Sequence, residues 1–230
     1  YRIDSLILFG TWFVLVSMKR VTSETFPLND SRIDFFVLDG LRTTSSVVEI
    51  WSSSSFSSLN IGKIIVDADA HGHIRGYSTN PHCHFEYNDG RLDVKDTIGH
   101  GGTITVIKDL KMREPFVGYT PIISGEVAED FAYYYSVSEQ IPTAISLGVL
   151  VNEDSRAVVS GGFMIQLMPF TPDEVIDEVE NKVRSLPPIS EMLSSGYTPL
   201  DIINNLAKDA KVLETVPVEF RCTCSKEKFA

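Results

Sequence analysis

Cysteine is scarce in this chain: 230 residues hold three, Cys83, Cys222 and Cys224. A secreted scaffold stapled by disulfides uses many cysteines, in even number and in a shorter chain, so that class is excluded. A reducing, cytoplasmic setting is expected. Long apolar runs are missing too. The longest, residues 6–16, is broken by Gly10 and Thr11 and falls well short of the roughly 20 residues that carry a helix across a bilayer. Arg2 and Asp4 make a poor opening for a secretion signal and no small-residue cleavage site follows, so this run is expected to form a pair of core strands. Positive charge is the third shortage. With 20 Lys and Arg against 31 Asp and Glu, the formal net charge of −11 leaves no footprint for tracking nucleic-acid phosphates. Neither a nucleic acid nor a membrane is an expected partner.

What is present is an ordinary folding composition, 43% hydrophobic and 22% charged, long enough for one sizeable core or two small ones. Leu38, Leu41, Val47, Val48 and Trp51 have a loose helical spacing after Asp39. Residues 52–58 are serine apart from Phe56 and suggest a linker or loop. From Ile61 onward extended segments dominate. Residues 61–66 and 73–78 are β-branched runs divided by Gly72, and Asp89-Gly90 marks a second tight turn. Residues 103–107, 117–123, 144–151 and 158–167 add further strands, with Gly161-Gly162 pointing to a bulge or a close backbone approach. Between them, residues 125–140 form a helix with Val127, Phe131, Tyr134 and Tyr135 on one face, Ser124 as its cap and Pro142 barring extension.

The composition shifts after Pro169. Thr171-Pro172-Asp173-Glu174 has the pattern of a capping box with proline at the first helical position, opening a helix striped by Val175, Ile176, Val179 and Val183. Pro187-Pro188 ends it. A short helix through Ile189, Met192 and Leu193 stops at Gly196, and Thr198-Pro199 starts another with Leu200, Ile203 and Leu206 on one side. Residues 171–205 carry seven acids against Lys182 and Arg184, a net of −5, so this chain of helices is expected to dock only marginally.

Several constellations have chemical potential. His71 with His73, and His82 with His84, stand at alternate positions, a spacing that places two imidazoles on one face of a strand; His100 follows. With Asp67 or Asp69 they would make a metal-dependent hydrolase, the alternative reading. Exposed turn histidines and solvated turn aspartates are the commoner outcome of such a pattern. Gly99-His100-Gly101-Gly102 lacks the Lys-Ser/Thr of a phosphate loop, and no Gly-x-Ser-x-Gly elbow occurs, so these glycines turn the chain into a strand. Tyr133, Tyr134 and Tyr135 point in different directions on a helix and are expected in the core. Cys222-x-Cys224 stands apart. Two thiols one residue apart, after the extended segment 217–221 and beside Lys226 and Lys228, make half of a thiolate metal site or a reactive dithiol. Tetrahedral zinc takes four ligands, so the site needs further donors: Cys83, a histidine or a partner.

Together these residues resemble the heat shock protein 33 family of redox-regulated holdase chaperones. The resemblance runs over about residues 61–229 on Ile65-Val66-Asp67-Ala68-Asp69-Ala70, Arg75-Gly76-Tyr77, Ser124-Gly125-Glu126-Val127-Ala128-Glu129-Asp130-Phe131, Ser138-Glu139-Gln140-Ile141-Pro142, Gly161-Gly162-Phe163, Gln166-Leu167-Met168-Pro169, Leu186-Pro187-Pro188 and Cys222-x-Cys224-Ser225. It implies an α+β fold, an antiparallel β-sheet core packed with helices and followed by an all-helical linker. The divisions expected are a chaperone core over residues 1–168, the linker over 169–216 and the start of a zinc module over 217–230. The resemblance further implies zinc on four thiolates in the reduced protein, with Cys222 and Cys224 as two of the ligands and as redox-active disulfide residues. The family's second pair, a CxxC, does not follow, so a truncated protein with absent or incompletely coordinated zinc is expected. Oxidation would expel zinc and unfold the module and linker, after which a dimer holds unfolding clients without ATP. No enzyme activity is expected on this reading. A passive interaction module, indifferent to oxidation, is the third reading.

Overall fold

The computed structural model describes residues 4–9, 12–20, 45–52, 61–69, 71–80, 93–99, 101–152, 157–167, 171–207 and 210–221. The fold is α+β, with two sheets, antiparallel but for one edge pairing, and helices packed against them. The expected pair of opening strands is present as β1 (Asp4–Phe9) and β2 (Trp12–Arg20). Next come β3 (Ser45–Ser52), β4 (Lys63–Asp69) and β5 (His73–Ser78). A short helix, α1 (Val94–Ile98), leads to β6 (Gly102–Asp109) and β7 (Phe116–Pro121). Then α2 (Val127–Val137) precedes the paired strands β8 (Thr143–Val151) and β9 (Ala157–Leu167). Three helices follow, α3 (Asp173–Ser185), α4 (Ile189–Ser194) and α5 (Pro199–Leu206), before β10 (Lys211–Pro217) and the two-residue β11 (Glu219–Phe220).

One sheet has the order β11-β5-β4-β3-β6-β7 and the other β10-β1-β2-β9-β8. Burial alternates along β4, where Ile64, Val66 and Ala68 turn inward, because successive side chains on a strand face opposite sides. These residues, with Val48, Ile50, Ile104 and Val106, meet Val127, Phe131, Tyr134 and Tyr135 of α2 in the first core. The helix face expected from spacing is therefore the buried one. A second core joins Val159, Phe163 and Ile165 of β9 to Ile189, Met192 and Leu193 of α4 and Ile202, Ile203 and Leu206 of α5.

Several expectations are corrected. Residues 45–52 are strand β3 rather than part of a helix; β3 lies between β4 and β6, and two hydrogen-bonded neighbours outweigh an approximate 3.6 spacing. The 38–44 portion and Asp89-Gly90 lie outside the described residues, as does the serine tract beyond Ser52. The segment after the core is not helical throughout, since β10 pairs antiparallel with β1 and returns the chain to the sheet. The capping box at Thr171 does not form: Pro172 occupies the cap in extended conformation, with no side-chain bond. A capping box closes instead at α5, where Thr198 Oγ1 accepts the Asp201 N–H and Asp201 Oδ2 accepts the Thr198 N–H. Leu200 is exposed and Ile202 takes its place inside. Marginal docking describes α3, which buries no residue fully, but not α4 and α5, where Ile189, Met192, Leu193, Ile202, Ile203 and Leu206 are almost completely enclosed.

Gly161-Gly162 marks a close approach rather than a bulge. A Cβ on Gly162 would crowd the Ser146 carbonyl and Leu147, while the register shift lies between Leu150 and Val151.

Candidate functional site

The sequence directs attention to two places, the aspartate and histidine residues around β4 and β5 and the chain entering Cys222. Both lie at one end of the six-stranded sheet. Asp67 and Arg75 are register partners, and the guanidinium grips the Asp67 carboxylate, with Nε 2.6 Å from Oδ2. Asp67 is thereby committed to a cross-strand ion pair. Asp69 closes the β4–β5 turn: its Oδ1 accepts the N–H groups of His71 and His73 at 2.9 and 3.0 Å, and its Oδ2 lies 2.8 Å from His73 Nδ1. Partial burial raises the Asp69 pKa, but the hydrogen bonds from His73 and His71 and the His73 charge outweigh it and hold the carboxyl below its ordinary value. The His71 ring stands 6.0 Å from that of His73 and remains exposed.

Among the described residues no group of three His, Cys, Asp or Glu side chains is placed to hold a metal ion. His71, His73, Asp67 and Asp69 serve turn and strand geometry; His82, His84, His100 and Cys83 lie outside the described residues. The glycine loop behaves as expected, with Gly99, Gly101 and Gly102 at positive φ where the chain turns into β6. Tyr134 and Tyr135 are core residues whose rings meet edge to face at 5.3 Å, and only Tyr133 of the trio reaches solvent.

Cys222 and Cys224 also lie outside the described residues, but their approach is described. Val218 is buried, β11 adds in parallel to β5, and the Arg221 N–H donates to the Ile74 carbonyl at 3.1 Å. The extended segment expected ahead of the cysteines is this strand. Arg221 Nη1 then reaches His73 Nε2 at 3.1 Å. Composition and spacing gave no sign of this contact, because it joins residues 148 positions apart.

The acidic helices form the remaining candidate surface. On α3 the exposed face is laced by Glu178–Lys182 and Glu180–Arg184 ion pairs at 2.7 and 2.8 Å, while Val179 and Val183 rest half-buried on the second core. Beside the connection that joins β8 to β9, Leu147, Val149, Leu150 and Val158 remain exposed. An amphipathic helix resting loosely on α5, which with α4 covers the apolar sheet face, is suited to exposing a binding surface.

The family model described as Hsp33 protein matches residues 53–230. The chain belongs to the Hsp33 family. Among relatives, the 33 kDa chaperonin of Geobacillus sp. (strain WCH70) is 50% identical over 173 residues, covering 74% of this chain and 59% of that protein. The 33 kDa chaperonin of Staphylococcus carnosus (strain TM300) is 48% identical over 172 residues, covering 74% and 58%. The crystal structure of the 33 kDa chaperonin from Thermotoga maritima superposes with a TM-score of 0.71 at 33% identity, covering 81% of this chain and 63% of that one. The α+β fold is thus the Hsp33 fold. The chain spans about three fifths of the length of the curated Hsp33 relatives it matches.

Proposed function

We infer that this chain is the core and linker of an ATP-independent holdase chaperone, one that binds unfolding proteins under oxidative stress and is kept inactive, when reduced, by cysteine-bound zinc. The observation that carries the reading is the second core: Val159, Phe163 and Ile165 of the sheet are covered by α4 and α5 of an acidic helical segment whose first helix, α3, buries no side chain fully and rests Val179 and Val183 half-buried against them. The whole segment lies within the family match. Loss of that cover uncovers an apolar face on a protein of net charge −11, which presents a sticky surface while keeping the complex soluble.

The residues fit zinc in kind and in part. Cys222 and Cys224 supply two thiolates, and a structural zinc site takes four, so two further donors complete the proposed site. Bound zinc would supply folding energy to the small C-terminal module, which melts when the metal leaves. The chain's own residues hold the root of that module to β5 through Val218, the Arg221 amide and the Arg221 guanidinium. Oxidation of Cys222 and Cys224 to disulfides is the proposed trigger, clients are non-native proteins, the active form is a homodimer and the setting is the cytoplasm. Neither nucleic acid nor membrane is a proposed partner, and no described helix is long and apolar enough to cross a membrane.

Light scattering from a thermolabile enzyme heated with equimolar chain tests the reading. This chain, with half of the thiolate set, is expected to suppress scattering without ATP or oxidant. Unchanged scattering, or suppression abolished by reductant, counts against it.

A further inference from the structure

Asp69, His73 and Arg221 are linked end to end, and the links dictate a protonation state. A carboxylate only accepts hydrogen bonds, so the 2.8 Å contact with Asp69 Oδ2 requires a proton on His73 Nδ1. A guanidinium only donates, so the 3.1 Å contact with Arg221 requires a bare lone pair on Nε2. Both demands are met by one species, the neutral imidazole carrying its proton on Nδ1. In the imidazolium, Nε2 carries a proton that faces the Arg221 N–H, and a hydrogen bond becomes a contact between two cations.

We propose that Asp69, His73 and Arg221 form a latch that positions the start of the Cys222-x-Cys224 segment on the six-stranded sheet and opens when His73 is protonated. Among the described residues the backbone anchoring is short. Strand β11 has two residues, its edge position leaves one neighbour, and the Arg221 amide bond to Ile74 is the last described backbone bond before the cysteines. Histidine changes charge between about pH 5 and 8, the range in which cells acidify.

Several charged groups lie near His73 among the described residues. Asp69 comes from β4 and accepts from Nδ1–H in either protonation state. His71, 6.0 Å away, adds a second positive charge if it protonates. Arg75, on the same strand, is neutralised by Asp67. Glu219 is the register partner of His73 on β11. Protonation therefore leaves the Asp69 contact in place and sets Arg221 against a cation, loosening one of the ties at the root of the cysteine segment. What that release does to the redox module rests on the function proposed above; the latch itself does not.

Hydrogen exchange of the Arg221 amide in this chain, corrected for intrinsic chemical exchange, reads the latch directly. Between pH 7.5 and 5.5 its protection is expected to fall about fivefold, the change that accompanies loss of one exposed, charge-assisted hydrogen bond, while amides of β6 keep theirs. His73→Gln cannot titrate and is expected to show no such step. Arg221→Gln, which keeps a donor but removes the charge, serves where the histidine variant fails to fold; its step is expected to shrink below about twofold. Constant protection in the parent chain, or an undiminished step in either folded variant, overturns the latch. Zinc plays no part in this readout. Absence of thiol-bound zinc would sink the redox reading and leave the latch standing.

Discussion

Gly148 and Ile189 share a space that admits no further atom. A Cβ on Gly148 would collide with Ile189 Cγ2 and stand 2.7 Å from the Ser190 backbone nitrogen, so the start of α4 is seated directly on the backbone of β8. Gly148 faces Gly161 across the strand pair, which keeps the neighbourhood low enough for the helix to approach. Gly148→Ala is expected to push α4 outward and cost about 1–3 kcal/mol, with increased binding of a hydrophobic dye. Urea unfolding and dye fluorescence check both. An unshifted midpoint would show that α4 is not seated this way.

Asp130 organises the loop before α2. Its carboxylate accepts the N–H groups of Ile123, Ser124 and Gly125 at 2.9, 2.8 and 3.0 Å, and the side chain is buried. Ser124 Oγ accepts the Glu126 N–H at 2.9 Å and makes longer contacts as a donor to the Glu126 carbonyl and to Asp130 Oδ1. Asp130→Asn is expected to cost about 2–4 kcal/mol and Ser124→Ala about 1 or less, because an amide offers one neutral acceptor to three donors. Denaturant midpoints of the two variants test the order, which reverses if the serine is the true cap.

Glu126 carries a pH signature. Burial, then the charges of Glu129, Asp93 and Asp130, raise its pKa above the ordinary 4.5 against the opposing pull of Lys95. An acid with a raised folded pKa is penalised while charged, so the penalty is present at neutral pH and disappears as pH falls through the folded value. Glu126→Gln is therefore expected to stabilise the chain at pH 7, by under about 1 kcal/mol after solvent screening, and to have no effect below about pH 4.5. Thermal melts at both pH values give the comparison.

Lys108 and Glu139 form an ion pair at 2.5 Å with both side chains enclosed, and the ammonium lies 5.6 Å from the Tyr135 ring centroid. The pair joins β6 to the residues just after α2. Glu139→Gln removes the negative charge facing a buried cation and is expected to cost about 3–5 kcal/mol, whereas Lys108→Met with Glu139→Leu costs far less. A double-mutant cycle measured by urea unfolding reads the coupling, and additive costs would show that the pair is not coupled.

Cys222→Ser with Cys224→Ser is expected to abolish tight zinc binding, and Cys83→Ser to leave it intact. Zinc content of the purified variants decides. Stoichiometric zinc in the double variant would return attention to the histidines.

The sequence by itself determined the elements whose signal is local. The buried face of α2, the β4–β5 turn at Gly72, the opening strand pair and the stop at Gly196 follow from periodicity and from backbone conformations that only certain residues adopt easily. The ordered motifs, from Ile65-Val66-Asp67 to Cys222-x-Cys224, likewise carried the family. Tertiary structure decided what depends on partners distant in the chain. Residues 45–52 became a strand because β4 and β6 offer hydrogen bonds on both sides, and 211–217 because β1 offers an edge. Ile202 replaced Leu200 inside because the second core, rather than the helix's own pattern, chose which face of α5 to bury. The Asp69, His73 and Arg221 linkage belongs to the same class: its residues come from opposite ends of the matched region, and only the addition of β11 to β5 brings a guanidinium to the imidazole.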